Sequence, residues 1–299
     1  MTLLVAHPNE VHPSSGRFAP TSLMQLKCPR LYYLSQWLDL IPVEHNAALS
    51  FGTALHEGVA FFYKNSKMPF KERQALAVRA FAQTWSDFHI KGDSKRNMDV
   101  GIILMAKYCE RYRSDNAAYN PDFIETIQWI EMPNGTMLGG VIDRVETDHD
   151  IIITDTKSSS WPLTEYWFQQ YENDFQLSMY HHICETIFGH CTNVKIDAVF
   201  VPITTDPEKQ FIRRSFYRNE LQMADALNTY MRKTAFIMEA AEMEEEERLL
   251  HFYQEQTMCK EYGGCKYLPI CKHGFNHPKV QTSFVKKEKP EDKELSAAE

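Results

Sequence analysis

The sequence predicts an α+β fold with a helical first part, a mixed central sheet flanked by helices, and a cysteine-bearing C-terminal segment. Three observations carry this expectation. Apolar residues recur at three- and four-residue spacing through residues 21–121, the mark of amphipathic helices. Runs rich in β-branched residues, separated by turn residues, fill residues 122–216. Cys259, Cys265 and Cys271 then stand at equal intervals in a stretch broken by Gly and Pro. With 299 residues, 43% of them hydrophobic and 24% charged, the chain can bury a sizeable core.

The elements follow in order. Residues 1–20 lack periodicity and read as an irregular arm. "TSLMQLKCPRLYYLSQWLDL" offers Thr21 and Ser22 as helix caps, with Pro29 starting a second turn or kinking the first. "SFGTALHEGVAFFYK", "FKERQALAVRAFAQTWSDFHI" and "MDVGIILMAKYCERYRSD" complete the helical part, 21–121. "FIETIQWIEM", "TMLGGVIDRVETD" and "DIIITDTKSS" form an antiparallel meander turning at "PNG" and "DHD". After a helix over "ENDFQLSMYHHICETIF", the strands "VKIDAVFVPI" and "QFIRRSFYR" close a core of 122–216. A long helix and the cysteine segment occupy 217–285, and 286–299 reads as a disordered polar tail. The whole of 21–285 is expected to form one domain.

No apolar run approaches the roughly 18 residues that span a bilayer. The N-terminus lacks the pattern of a signal peptide. A cytoplasmic protein, prokaryotic or viral, with no membrane partner is therefore expected. In such a reducing compartment seven cysteines read as thiols or metal ligands rather than disulfides. The formal charge of −8 argues mildly against nucleic acid. However, "EAAEMEEEER" (239–248) holds six glutamates against one arginine, a net of −5 that leaves −3 for the rest. Net charge therefore excludes no such partner.

"GGVIDRVETDHDIIITDTKSSS" carries the chemistry. Asp143 ends one β-branched run, and Asp155, Thr156 and Lys157 end the next. Asp155 and Lys157 are two apart, so a strand projects both to one face. Two carboxylates and an ammonium around one point suit phosphodiester hydrolysis. Carboxylates hold Mg²⁺ or Mn²⁺, and a lysine orients the attacking water and offsets charge on the phosphoryl oxygens. A lone D-x-K also occurs in solvated turns, so the surrounding segments matter. The small residues of "GGVID" were expected to allow close backbone approach beside Asp143.

Those segments resemble the PD-(D/E)xK nuclease superfamily in its RecB-like iron–sulfur branch, which includes AddB-like nucleases and CRISPR-associated Cas-four-type exonucleases. "GTALHEG" is similar to the helix that supplies a metal-binding histidine, here His56. "GGVIDR" resembles the G-x-x-D-R motif at Asp143. "ITDTKSS" resembles the D-x-K motif, implying Asp155 and Lys157 with the Thr156 carbonyl as a further metal ligand. "QLSMY" resembles the Q-x-x-x-Y motif, Gln176 and Tyr180, which share one helix face. Each segment alone fits an ordinary helix or strand; their order over residues 50–180 carries the resemblance.

The cysteines have two readings. Cys109 and Cys184 sit in amphipathic helices, where a thiol is ordinarily a small buried apolar group. Cys191 follows a helix end at Gly189. Cys28, in "LKCPRLYYL", resembles the leading cysteine of the iron–sulfur branch. The resemblance implies that Cys28, Cys259, Cys265 and Cys271 ligate a [4Fe-4S] cluster as a clasp joining distant parts of the chain. Zinc is the alternative, with His273 and His277 as further candidate ligands, although paired C-x2–4-C knuckles are absent.

The resemblance implies an Mg²⁺- or Mn²⁺-dependent deoxyribonuclease acting as an exonuclease on single-stranded DNA, in recombination, repair or CRISPR spacer acquisition. The alternatives are a structure-specific endonuclease and a DNA-end-binding subunit of a larger complex. A helicase, recombinase or CRISPR integrase is an expected protein partner, since no phosphate-loop motif is present. Tyr32, Tyr33 and Trp37 are candidates for base stacking, as an alternative to core packing, with Arg30 on a phosphate.

Overall fold

The computed structural model describes residues 12–44, 46–90, 92–115, 119–147 and 149–287. Nine strands run β1 (Arg17–Phe18), β2 (Leu40–Pro42), β3 (Thr126–Glu131), β4 (Met137–Ile142), β5 (Arg144–Glu146), β6 (Ile152–Ser159), β7 (Asn193–Phe200), β8 (Phe211–Phe216) and β9 (Phe284–Lys286) among the described residues. The helices are α1 (Pro20–Leu23), α2 (Pro29–Tyr32), α3 (Ala47–Lys64), α4 (Phe70–Asp87), α5 (Met98–Arg111), α6 (Glu165–Gln169), α7 (Phe175–Phe188), α8 (Pro207–Gln210), α9 (Glu220–Ala241), α10 (Glu245–His251), α11 (Leu268–His273) and α12 (Pro278–Ser283). The fold is mixed α+β, as the periodicities predict.

The single sheet expected over 122–216 is replaced by two. One is three-stranded in the order β1-β4-β3, the other four-stranded in the order β5-β6-β7-β8. The second is mixed: β5 and β8 run antiparallel to their neighbours, and β6 and β7 run parallel. The divide falls between Ile142 and Arg144, where Asp143 leaves the strand geometry. The expected meander is therefore interrupted at its most informative residue. Two further expectations change. The arm holds strand β1, paired in parallel with Met137–Leu138. The first helix starts at Pro20, its fixed φ suiting a first helical position, while Ser22 bonds back to the Ala19 carbonyl at 2.8 Å. Residues 1–11 and 288–299, most of the expected arm and tail, lie outside the described residues.

By backbone proximity the chain forms two compact units: residues 1–44, 129–140 and 225–299, and residues 45–128 and 141–224. In the second, α3, α4 and α5 pack on the four-stranded sheet around Phe51, Leu55, Phe62, Phe81, Leu104 and Tyr108. Two glycines set how closely the helices approach. A Cβ on Gly101 would lie 1.9 Å from the Phe81 ring, and one on Gly58 would lie 2.7 Å from Met105 Sδ. In the first unit Phe252 is fully buried against the rings of Tyr32, Tyr33 and Trp37. Gly139 there leaves room for Trp129, whose ring would lie 2.3 Å from an added Cβ. Gly139, four residues before Asp143, thus makes space for a tryptophan.

Candidate active site

The site is built from α3, the start of β3, the β4–β5 break, β6 and α7. On α3, Phe51, Leu55 and Val59 face the core, which leaves His56 at its rim, about a quarter exposed. Its Nδ1 lies 3.1 Å from Asp143 Oδ2 and 3.2 Å from Glu125 Oε1. Asp143 is buried, and its Oδ2 accepts the Thr156 amide hydrogen at 2.6 Å. That bond links the strand break to the middle of β6. One residue either side of Thr156, Lys157 Nζ lies 2.6 Å from Asp155 Oδ2, so both project to one face as the two-residue spacing requires. On α7, Gln176 donates to the Tyr180 hydroxyl at 2.9 Å, one helical turn along. Thr156 is buried, and its hydroxyl accepts from Arg144 at 2.8 Å.

Glu125 was missed by the sequence reasoning, which placed it inside a strand. It takes a left-handed φ of 49°, uncommon for a residue with a side chain. Its amide is held by the Ile142 and Asp143 carbonyls, each at 3.0 Å. The only sequence signal was an acid between Ile124 and Thr126, in a run otherwise reading as a half-buried strand.

Electrostatics follow from burial and crowding. Burial opposes ionisation of Asp143, but His56, Lys157 and the Thr156 amide outweigh it and hold the carboxyl down to about 2. Burial pushes Asp155 up to about 6 against the pull of Lys157, with the Asp143 charge adding to the rise. Glu125 is raised by burial and by Asp143. Burial disfavours charge on Lys157 and His56, yet the surrounding carboxylates keep both protonated well beyond their ordinary ranges. Three acids are crowded together and two of them are pushed toward the neutral form, a repulsion that a bound cation would relieve.

The donor set fits such a cation. Ligand atoms of His56, Glu125 and Asp143 all lie within 4.8 Å of one another. Asp155 Oδ2 is buried and pairs with the Lys157 ammonium at 2.6 Å. One imidazole among carboxylates suits Mn²⁺ at least as well as Mg²⁺, which prefers oxygen ligands alone.

Behind this face lies a buried ionic cluster. Asp197 accepts from Arg144 at 2.7 Å, Arg213 at 3.1 Å and Tyr108 at 2.5 Å, with Arg144 and Asp197 almost wholly buried. Arg144 therefore ties the core to Thr156.

The four cysteines implied as ligands belong to the first unit. Cys28 caps α2, and its Sγ accepts the Glu255 amide at 3.5 Å. The Cys265 amide bonds the Cys259 carbonyl at 3.0 Å, and Cys271 lies on α11. Burial raises the Cys265 and Cys271 thiols, and Cys28 and Cys259 raise both further, so the four groups lie within electrostatic reach of one another. Cys109 and Cys184 are fully buried, as small apolar thiols. His277 Nδ1 caps α12 by accepting the Lys279 amide at 3.2 Å. Of the two readings of Tyr32, Tyr33 and Trp37, core packing holds: all are buried around Phe252. The phosphate role for Arg30 is corrected, since it donates to the Phe252 and Leu249 carbonyls, each at 2.7 Å.

Two buried aspartates and a lysine, beside a histidine and a glutamate, form an acid–acid–lysine arrangement that could hold a cation. The family profile of the PD-(D/E)XK nuclease superfamily matches residues 17–272. The chain belongs to that superfamily. Among solved structures it is similar to a "putative exonuclease" from Eubacterium rectale, with a TM-score of 0.50 and 11% identity over 81% of this chain and 89% of the other. A second, SSO0001, aligns at a TM-score of 0.32 and 13% identity over 72% of this chain and 85% of the other. No curated protein matches by sequence. Among the described residues no helix is long and apolar enough to cross a membrane.

Proposed function

We propose that this protein is a metal-dependent deoxyribonuclease that hydrolyses single-stranded DNA from an end. The observation that carries the proposal is the convergence of His56, Glu125 and Asp143 within 4.8 Å, beside the Asp155–Lys157 pair. His56, Asp143, Asp155 and the Thr156 carbonyl, with Glu125 added, would hold Mn²⁺ or Mg²⁺. The cation supplies Lewis acidity at the phosphate and lowers the pKa of a water. Lys157 directs that water in line with the scissile bond and stabilises charge on the phosphoryl oxygens. The Asp155 carboxylate holds the Lys157 ammonium in place. Gln176 and Tyr180, hydrogen-bonded to each other, position Lys157 from the helix side and face the substrate strand. The name of the Eubacterium rectale protein agrees with action from an end.

The cysteines of the first unit are proposed to hold a [4Fe-4S] cluster. Cys28, Cys259, Cys265 and Cys271 all lie in that unit, and Cys28 and Cys259 act electrostatically on both Cys265 and Cys271, which supports a shared site. Such a site is structural, linking Cys28 to a segment more than 200 residues later.

End-labelled single-stranded DNA incubated with Mn²⁺ or Mg²⁺ tests the activity. Progressive shortening that is abolished in Asp143→Ala and Lys157→Ala is expected. A wild-type protein of full metal content that leaves every DNA form intact would overturn the assignment.

A further inference from the structure

We propose that Trp161 and Tyr166 form a base-stacking platform for unpaired DNA beside the catalytic strand, an inference that rests on the nuclease reading above. Sequence reasoning sought such a platform near Cys28, where the aromatics prove buried. The segment after β6, "WPLTEYWFQQY" (161–171), holds five aromatic residues in eleven. Two of them face water: Trp161 is 76% and Tyr166 83% exposed. These are among the largest apolar exposures in the protein, and both lie within ten residues of Lys157.

The backbone beneath them is built rather than loose. Ser159 Oγ accepts the Trp161 amide hydrogen at 3.0 Å and donates to the Trp161 carbonyl at 2.9 Å. Pro162 restricts Trp161 to extended conformations, and the Thr164 amide closes back on the Pro162 carbonyl at 2.9 Å. Thr164 then caps α6 through the Trp167 amide. On that helix Trp167 meets Phe168 and Tyr171 edge-on, and Phe168 is buried beneath Arg214. Anchoring by those rings directs Tyr166 outward. Each exposed ring thus sits on a fixed main chain, which lowers the entropy lost when a ligand orders it.

Position and charge favour nucleobases as the occupant. Trp161 follows Lys157 by four residues, so at about 3.3 Å per residue their Cα atoms lie at most ~13 Å apart. Such a backbone span matches about four stacked nucleotides at ~3.4 Å each. Arg96 donates to the Ser160 hydroxyl at 3.0 Å while pairing with Asp93 at 3.1 Å, and this anchored turn brings the exposed Lys95 beside the platform, where its ammonium can meet the phosphates of a stacked strand.

The experiment measures equilibrium binding of full-length protein, with divalent cations chelated, to labelled oligothymidylate and to the same oligomer carrying abasic sugars. Stacking is worth about 1–3 kcal/mol per base, so wild type should prefer the intact oligomer by ~5- to 150-fold. Trp161→Ala and Tyr166→Ala should each shrink that preference, and Trp161→Phe should retain most of it. A blunt duplex, with its bases already stacked, should bind wild type and Trp161→Ala alike. Both alanine variants keeping the full wild-type preference would overturn the platform while leaving the nuclease reading intact. A wild type that neither binds nor cleaves DNA would overturn both. Strand binding that ignores the bases would instead mark the patch as a docking surface for another protein, and would also overturn the proposal.

Discussion

Lowering the pH from 8 to 5 should weaken Mn²⁺ binding by at least about tenfold, because the proposed ligands carry protons that the cation must displace. Burial places Asp155 at about 6. At pH 5 only about one molecule in eleven would have it ionised, a loss of roughly tenfold or ~1.4 kcal/mol. The two carboxylates around His56 hold its proton well above the ordinary imidazole range. Displacing that proton on entry of a cation adds to the loss in the same direction. Three exposed carboxylates titrating near 4 would lose almost nothing over the same interval. Calorimetric titrations in buffers of different ionisation enthalpy measure both the affinity and the protons released. Proton release on Mn²⁺ binding should rise as pH falls through 6, and His56→Asn should reduce it. A flat profile would refute a site built on His56 and Asp155.

The remaining predictions concern stability and catalysis. In the metal-free protein, the elevated Asp155 and His56 favour folding at lower pH, and their contribution is lost as pH rises through their folded values. Asp143, depressed to about 2, contributes about 2 kcal/mol above pH 4 that disappears as pH falls toward 2. Thermal melts should therefore show greatest metal-free stability near pH 4, declining as pH rises toward 6 and beyond, and added Mn²⁺ should stabilise more at pH 8 than at pH 5. Asp197→Asn removes the carboxylate that the buried Arg144 pairs with, while Arg213 keeps Asp115 at 2.6 Å. Urea unfolding should register a loss of about 3–5 kcal/mol, and a loss below 1 would show that the cluster is not essential. Gly101→Ala places a methyl against the Phe81 ring and should cost about 1–3 kcal/mol in the same assay. Cys28→Ala should lose iron and visible absorbance; a full iron complement in that variant would show that Cys28 is not a ligand. Lys157→Ala should lose DNA hydrolysis while keeping or strengthening Mn²⁺ binding, since it removes an ammonium that competes for Asp155.

Periodicity found the long helices α3, α4, α5 and α7 and most strands, because each buries one face continuously. It failed where tertiary contacts decide. The β-branched run through Asp143 reads as one strand, but the Asp143 side chain bonds the Thr156 amide and the chain there leaves one sheet for another. Strand β1 is two residues long and exists through its pairing with β4, which no local pattern announces. The acid–acid–lysine core was legible because Asp155 and Lys157 share a strand face and Gln176 and Tyr180 share a helix turn. Glu125 was not, since its approach to His56 depends on a left-handed backbone fixed by carbonyls nearly twenty residues away. Aromatic residues near Cys28 looked available for DNA because sequence does not distinguish a buried ring from an exposed one. Phe252, more than 200 residues later, covers them.

The most direct test of the central claim is single-turnover hydrolysis of end-labelled single-stranded DNA by wild type and Asp143→Asn, measured alongside Mn²⁺ affinity. Asp143→Asn keeps the side-chain shape while removing the charge shared by His56, Lys157 and the Thr156 amide. Loss of both hydrolysis and Mn²⁺ binding, in a variant that still folds, is the expected result. Undiminished hydrolysis by Asp143→Asn would place the chemistry elsewhere and contradict the account.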